Sequence, residues 1–495
     1  MTSVLAIDQG TTSSRAIIYD AALNTLGVGQ HPFEQHYPKP GWVEHDPEEI
    51  WQTTLRAIED ALRAAGIGGQ QLAAIGITNQ RETVVAWHKD SGKSFGNAIV
   101  WQDRRTSPIC QQLKSQGLEP TVTEKTGLVL DPYFSASKIQ WILENNTDAR
   151  QAANEDKLLV GTIDSWLVWK LTAGNDHLIE ASNASRTLLL NLNAVDWDDE
   201  LLSIFSIPRS VLPTIVDSSG EIAEARIAPL QGVAITGVAG DQQAALFGQT
   251  CFNPGEAKCT YGTGCFLLTN VGTKPVPSNS RLLSTLAWKI GANVNYALEG
   301  SVFIGGALIQ WLRDNLGIVE NAAEIETLAA SVADNGGVTL VPAFAGLGAP
   351  HWDAEARGTL LGITRGTTTA HIARAALEGM ALQVADVIEA MRTDLSGELT
   401  TMRVDGGACV NNLLMQIQGD YSGLHIQRAT NLESTALGAA TLAGLGAGIW
   451  SSADALLGLW QAERTFSPSI EKEALTKVQS NWRRAIARAG AWAED

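Results

Sequence analysis

The sequence predicts an α/β protein built from two large units, on two observations. Short apolar, β-branched runs alternate with longer stretches of helical period in both halves of the chain, as expected for strands covered by helices. A glycine-containing tight turn between two apolar strands occurs near the start of the chain and again near its middle. Residues 4–7, 16–19, 73–78, 84–88, 233–238, 267–270, 338–341 and 402–404 read as strands, being short, apolar and bounded by turn residues. Residues 50–65, 137–144, 307–316, 370–391 and 412–421 carry the longer helical period. Residues 434–453 carry no charge but are rich in Gly, Ala, Ser and Thr, which reads as a tightly packed buried helix and loop rather than a membrane span.

Length and charge narrow the function. The 495 residues suit two large domains or about three ordinary ones. With 35 Lys+Arg against 53 Asp+Glu, the formal charge is −18. So acidic a chain has no general attraction to nucleic acid or anionic lipid, and no nucleic-acid partner is expected. An anionic ligand must be held locally, by backbone amides, a metal or a few placed cations. The N-terminal apolar run ends at Asp8 and lacks a basic leader, so no secretory signal is expected. Five cysteines without C-x-x-C spacing fit a reducing compartment, and a cytoplasmic location is expected.

The two glycine turns are 8–15, DQGTTSSR, and the TYGTG run within 259–268, CTYGTGCFLL. Gly with small hydroxyl residues lets backbone N–H groups turn inward toward an anion. One such hairpin is commonplace; two, each opening one half of the chain, argue for paired domains gripping one polyphosphate. The established phosphate loops are missing: neither G-x-x-x-x-G-K-[ST] nor G-x-G-x-x-G after a strand occurs, and no H-E-x-x-H is present. A G-x-S-x-G stands at 92–96, but the polar approach 88–91, HKDS, reads as a hairpin turn rather than a nucleophile elbow.

Asp8 closes a buried strand just before the first glycine turn, and Asp241 follows the strand at 233–238 and opens a helix. Either alone reads as a cap or turn residue. Together, beside the glycine turns, they match what phosphoryl transfer requires: one carboxylate for Mg2+ and one to orient the attacking hydroxyl.

These residues resemble the FGGY family of carbohydrate kinases. The first hairpin, 133–141 (YFSASKIQW), and the blocks 358–363 (GTLLGI) and 371–378 (HIARAALE) match its signatures. Blocks 76–83 (GITNQRET), 97–102 (NAIVWQ) and 240–248 (GDQQAALFG) are most similar to members that phosphorylate glycerol. The resemblance implies two actin-like (ribonuclease H-like) domains, residues 1–247 and 248–495, flanking a catalytic cleft. It implies ATP and Mg2+ as cofactors, glycerol as substrate, sn-glycerol 3-phosphate as product, and a homo-oligomer, dimer or tetramer. Residue by residue it assigns Arg81, Glu82, Tyr133, Asp241 and Gln242 to the polyol hydroxyls, with Trp101 and Phe266 packing the carbon chain. For the nucleotide it assigns Thr11, Thr12, Ser13, Arg15, Thr263, Gly306, Gln310, Gly407 and Asn411. Asp8 would hold Mg2+ through water, Asp241 would be the base, and Arg15 would offset charge on the transferred group. The physics agrees: a triol needs several matched donors and acceptors, and its C–H surface suits aromatic faces.

One stretch departs from the family. Some bacterial members bind fructose 1,6-bisphosphate on a Gly/Arg loop before the strand leading to the catalytic Asp. Here 226–233, RIAPLQGV, is shorter and has Gly232 where that Arg would stand, which implies weak or no inhibition by the bisphosphate. Two rivals remain. A ketose kinase would carry a different block at 79–83, and an actin-like assembly ATPase would lack the polyol set.

Overall fold

The structure is a computed structural model that describes residues 2–395 and 399–493. In the first half, strands β1 (Ser3–Gln9), β2 (Ser13–Asp20) and β3 (Thr25–Pro32) form an antiparallel meander. Helix α1 (Pro47–Ala65) follows, capped by the Asp46 side chain on the Glu48 N–H and closed by Gly66 in the left-handed region. Its apolar stripe (Ile50, Ala57, Ile58, Ala61) is buried in the core beneath the sheet. Strand β4 (Leu72–Asn79), helix α2 (Ser135–Asn145), strands β5 (Ser219–Glu224) and β6 (Ala234–Gly240) and helix α3 (Asp241–Gly248) also belong to this half, among shorter elements. The sheet order is β5-β6-β4-β1-β2-β3, with β1, β4 and β6 parallel.

The second half repeats the plan. It contains β7 (Ala257–Tyr261), β8 (Cys265–Gly272), β9 (Leu283–Ile290), β10 (Asn293–Val302), helix α4 (Gly306–Asp314), helix α5 (Thr369–Asp394), β11 (Thr401–Asp405), helix α6 (Asn412–Ser422), β12 (His425–Ala429), helix α7 (Ser434–Gly446) and β13 (Ala462–Phe466). The order is β9-β10-β8-β7-β11-β12-β13. An antiparallel hairpin (β7–β8) again pairs with parallel strands (β11, β12), bounded by an antiparallel edge strand. Beside β1–β2, β4, β6 and β5, this is one topology used twice. The core around α5 gathers Met380, Val384, Val387, Ile388, Leu267 and Val404.

Every predicted strand and helix has a counterpart, displaced by a few residues at its ends; 338–341 is Thr339–Val341. The sequence reading omitted β3, β5, β9, β10, β12 and β13, strands interrupted by polar residues. Residues 88–96 form a turn, with Trp87 bridged to Ser94, as the polar reading expected. No helix among the described residues is long and apolar enough to cross a membrane.

The uncharged segment 434–446 is helix α7, and its composition has a geometric cause. It lies against the first sheet and α3: Ser219 Oγ donates to the Leu442 carbonyl and Thr236 Oγ1 to that of Ala443. A Cβ on Gly438 would stand 1.8 Å from the Ala244 carbonyl oxygen, and one on Gly76 would stand 2.2 Å from that of Ala439. Only glycine permits that approach. Gly438→Ala is therefore expected to cost about 1–3 kcal/mol and to lower turnover by pushing α3 away. Thermal melting and a turnover assay check this; a wild-type melt would show that the packing relaxes freely.

Candidate active site

Three adjacent parallel strands, β1, β4 and β6, end side by side, pairing Asp8 with Thr78 and Gly240 with Asn79. Chain ends at the carboxyl edge of parallel strands are where α/β sheets bind ligands. This edge brings together Asp8, Arg81 and Asp241, the first residue of α3. Arg81 Nε lies 3.1 Å from Asp241 Oδ1. The β1–β2 turn closes through Gly10 N–H to the Ser13 carbonyl (3.0 Å), and the β7–β8 turn through Gly262 N–H to Gly264 (2.9 Å). Trp101 spans both hairpins. Its Nε1 donates to Thr11 Oγ1 at 3.0 Å, and its ring meets Phe266 edge-on at 6.2 Å and Tyr133 at 5.7 Å. The three aromatic residues assigned to the polyol thus form one wall.

Beneath that wall lies a buried charge network that the sequence reading did not foresee. Glu299 of β10 accepts from Arg81 Nη2 (3.0 Å) and from Arg186 Nη2 (2.9 Å), and Arg186 Nε donates to Glu82 (2.7 Å). All four side chains are at most 2% exposed. Burial alone would push Glu299 up, but the two guanidinium groups outweigh it and hold its pKa at about 2. Burial wins at Glu82, whose carboxyl is raised despite Arg81 and Arg186. Glu82 also has a left-handed backbone, φ 61°. That costs a buried non-glycine residue roughly 1–3 kcal/mol and typifies functional sites. The Arg186 pairing and a bond from Ser135 Oγ to the Glu82 carbonyl (3.1 Å) hold it there. Lys138, within the signature block, donates to the carbonyls of Pro132, Tyr133 and Phe134 and so fixes the backbone carrying Tyr133. Gln242 accepts from the buried Lys258 of β7.

On the nucleotide side, Thr12 and Thr263 are exposed on their hairpins, and Ser13 Oγ accepts from Gln30. Arg15 pairs with Glu433, just before α7, so a partner from the other half of the chain already holds this cation. Helix α4 begins on the second hairpin, with Gly306 N–H donating to the Gly262 carbonyl at 2.8 Å; Gln310 lies exposed further along it. After β11, Gly406 has φ 85° and Gly407 faces open space. Asn411 caps α6, its Oδ1 accepting from the Leu414 N–H (2.8 Å), so its amide N–H2 takes no part in the cap.

Asp8 suits a divalent cation. No described residue donates a hydrogen bond to its carboxylate, and burial followed by the Asp241 charge pushes its pKa up to about 7. Two facing carboxylates of this kind are relieved by a cation. Among the described residues no group of three His, Cys, Asp or Glu side chains could hold a metal alone. Water and phosphate oxygens would have to complete a Mg2+ shell, as is usual for that ion.

A twin-sheet chain with facing glycine hairpins and two carboxylates at one strand edge has the form of a phosphotransferase. The profile described as the FGGY family of carbohydrate kinases, N-terminal domain, matches residues 3–248, and that of the C-terminal domain matches residues 257–447. The chain belongs to the FGGY family of carbohydrate kinases. It is 54% identical to the glycerol kinase of Paraburkholderia phytofirmans over 99% of both chains. It is 55% identical to that of Deinococcus radiodurans over 99% of this chain and 98% of the other. Among solved structures it is similar to Plasmodium falciparum glycerol kinase with ADP, at 36% identity and TM-score 0.91, covering 99% of this chain and 98% of that one.

Proposed function

We propose that this protein is an ATP-dependent glycerol kinase that transfers the γ-phosphoryl group of ATP to a terminal hydroxyl of glycerol, giving sn-glycerol 3-phosphate and ADP. The observation that carries the reading is the pocket itself. Asp241 and Arg81 stand at the strand edge, the Trp101–Tyr133–Phe266 wall lies beside them, and the two glycine hairpins face each other across Trp101. The relatives named glycerol kinase support the substrate.

In this reading Arg81, Glu82, Tyr133 and Gln242 bind the hydroxyls, and Trp101 and Phe266 pack the carbon chain. Asp241 orients the attacking hydroxyl and accepts its proton. The hairpin amides, Thr11, Thr12, Ser13, Thr263 and Arg15 hold the phosphates, while Gly306, Gln310, Gly407 and Asn411 border the purine. Asp8 would hold Mg2+ through water, and the bound ion would neutralise charge on the phosphates. Closure of the domains, proposed as 1–247 and 248–495, excludes water as a competing acceptor.

ADP release with MgATP, measured across glycerol, dihydroxyacetone, xylulose, gluconate and no acceptor, tests this. Strong release with glycerol is expected. Preference for xylulose would keep the fold and overturn the substrate, and release without an acceptor would mark an ATPase.

A further inference from the structure

Lys258 lies on β7, the first strand of the second sheet, and is wholly buried. Its ammonium donates to Thr260 Oγ1 at 2.9 Å and to Oε1 of Gln242, the second residue of α3. Burial pushes its pKa below the ordinary lysine value, and the negative charges of Asp405 and Asp241 act against that shift. An ammonium carries donors and no acceptor. The amide atom facing it must therefore be the oxygen, which turns the Gln242 N–H2 the other way. No described residue accepts from that N–H2, and Gln242 stands beside Asp241, whose Oδ1 accepts from the Gln242 backbone N–H at 2.7 Å.

We propose that Lys258 is a positioning residue for polyol recognition. It locks the Gln242 amide with its oxygen inward, so that the site offers an N–H donor, rather than a second acceptor, to one substrate oxygen. The proposal rests on the reading of this pocket as the polyol site. Its chemistry divides labour between neighbours: Asp241 takes the proton of the attacking hydroxyl, while Gln242 donates to an oxygen lone pair. Without the lysine, the amide is free to rotate by half a turn, and two acceptors then compete for the substrate's hydroxyl protons. The lysine comes from the second sheet and the glutamine from the helix after the first, so the alignment depends on both halves of the chain being in place.

The test is steady-state kinetics of Lys258→Met and Lys258→Arg beside the wild type. Losing one oriented hydrogen bond is worth about tenfold. Lys258→Met is expected to raise the KM for glycerol about tenfold, leaving the KM for ATP unchanged and kcat far less affected. Lys258→Arg, which keeps the donors, should recover most of that loss. A folded Lys258→Met with an unchanged glycerol KM, or with both KM values raised alike, overturns the proposal. If Lys258→Met does not fold, Gln242→Glu decides. It can still pair with Lys258 but has no N–H to donate, so its glycerol KM must rise about tenfold, and an unchanged value overturns the proposal. The wild type separates the two claims: no turnover of glycerol removes the proposed function, whereas normal turnover with an unmoved KM in the variants removes this inference alone.

Discussion

Asp241→Asn is expected to lower kcat by on the order of 10³-fold while leaving ATP binding nearly unchanged. The change keeps the shape but removes the negative charge and, with it, the ability to accept a proton. Asp241 is the first residue of α3, at the carboxyl end of β6, and Arg81 Nε fixes one of its oxygens at 3.1 Å. The hairpins and the Gly406–Gly407 turn, which would hold the nucleotide, lie on other elements and do not depend on its charge. Turnover assays paired with nucleotide titration separate the effects. Near-normal kcat in this variant would remove the base assignment, and a parallel loss of ATP affinity would mean that the carboxylate acts on the nucleotide instead.

Glu299→Ala carries the second large effect, expected as a loss of about 3–5 kcal/mol together with weakened glycerol binding. Arg81 and Arg186 are almost fully enclosed, and Glu299 accepts from both. Removing it leaves Arg186 with Glu82 at 2.7 Å, and Arg81 with Asp241 at 3.1 Å, the Gln243 amide oxygen at 3.2 Å and Glu82 at 3.9 Å. The loss is read as a lower denaturant midpoint, in the transition that involves the contact between the two halves of the chain. The sign with pH is fixed by the shift. Glu299 is held at about 2, below its ordinary 4.5, so it contributes stability that is full above pH 4.5 and lost as pH falls through about 2. The variant should lack this acid-sensitive component. An unchanged midpoint would mean that water reaches and solvates the arginines.

The parts legible in the sequence were those written locally. Asp8 and Asp241 stand where apolar runs give way to turn or helix signals, and the hairpins announce themselves through Gly and small hydroxyl residues. Arg81, Glu82, Trp101 and Tyr133 were reached through blocks shared with a family. What escaped was the support beneath them. Arg81 and Glu299 are 218 positions apart, and Arg186 and Glu82 are 104 apart. No window along the chain shows such a pair. A weaker signal existed: Lys258 and Glu299 are lone charges within largely buried strands. A buried charge requires a partner, so each implied an unseen opposite group without naming it. Glu433 gave no signal, since an acidic residue before a helix reads as an ordinary cap. The glycines of α7 were legible as tight packing, but the surface they pack against became visible only in three dimensions.

The central claim, transfer of the ATP γ-phosphoryl group to glycerol, is tested most directly by following the phosphorus. 31P NMR of wild-type protein with MgATP and glycerol should show a glycerol 3-phosphate resonance growing in step with ADP, and a stereospecific assay should find the sn-3 product alone. Inorganic phosphate appearing in its place, at the same rate with and without glycerol, would contradict the account.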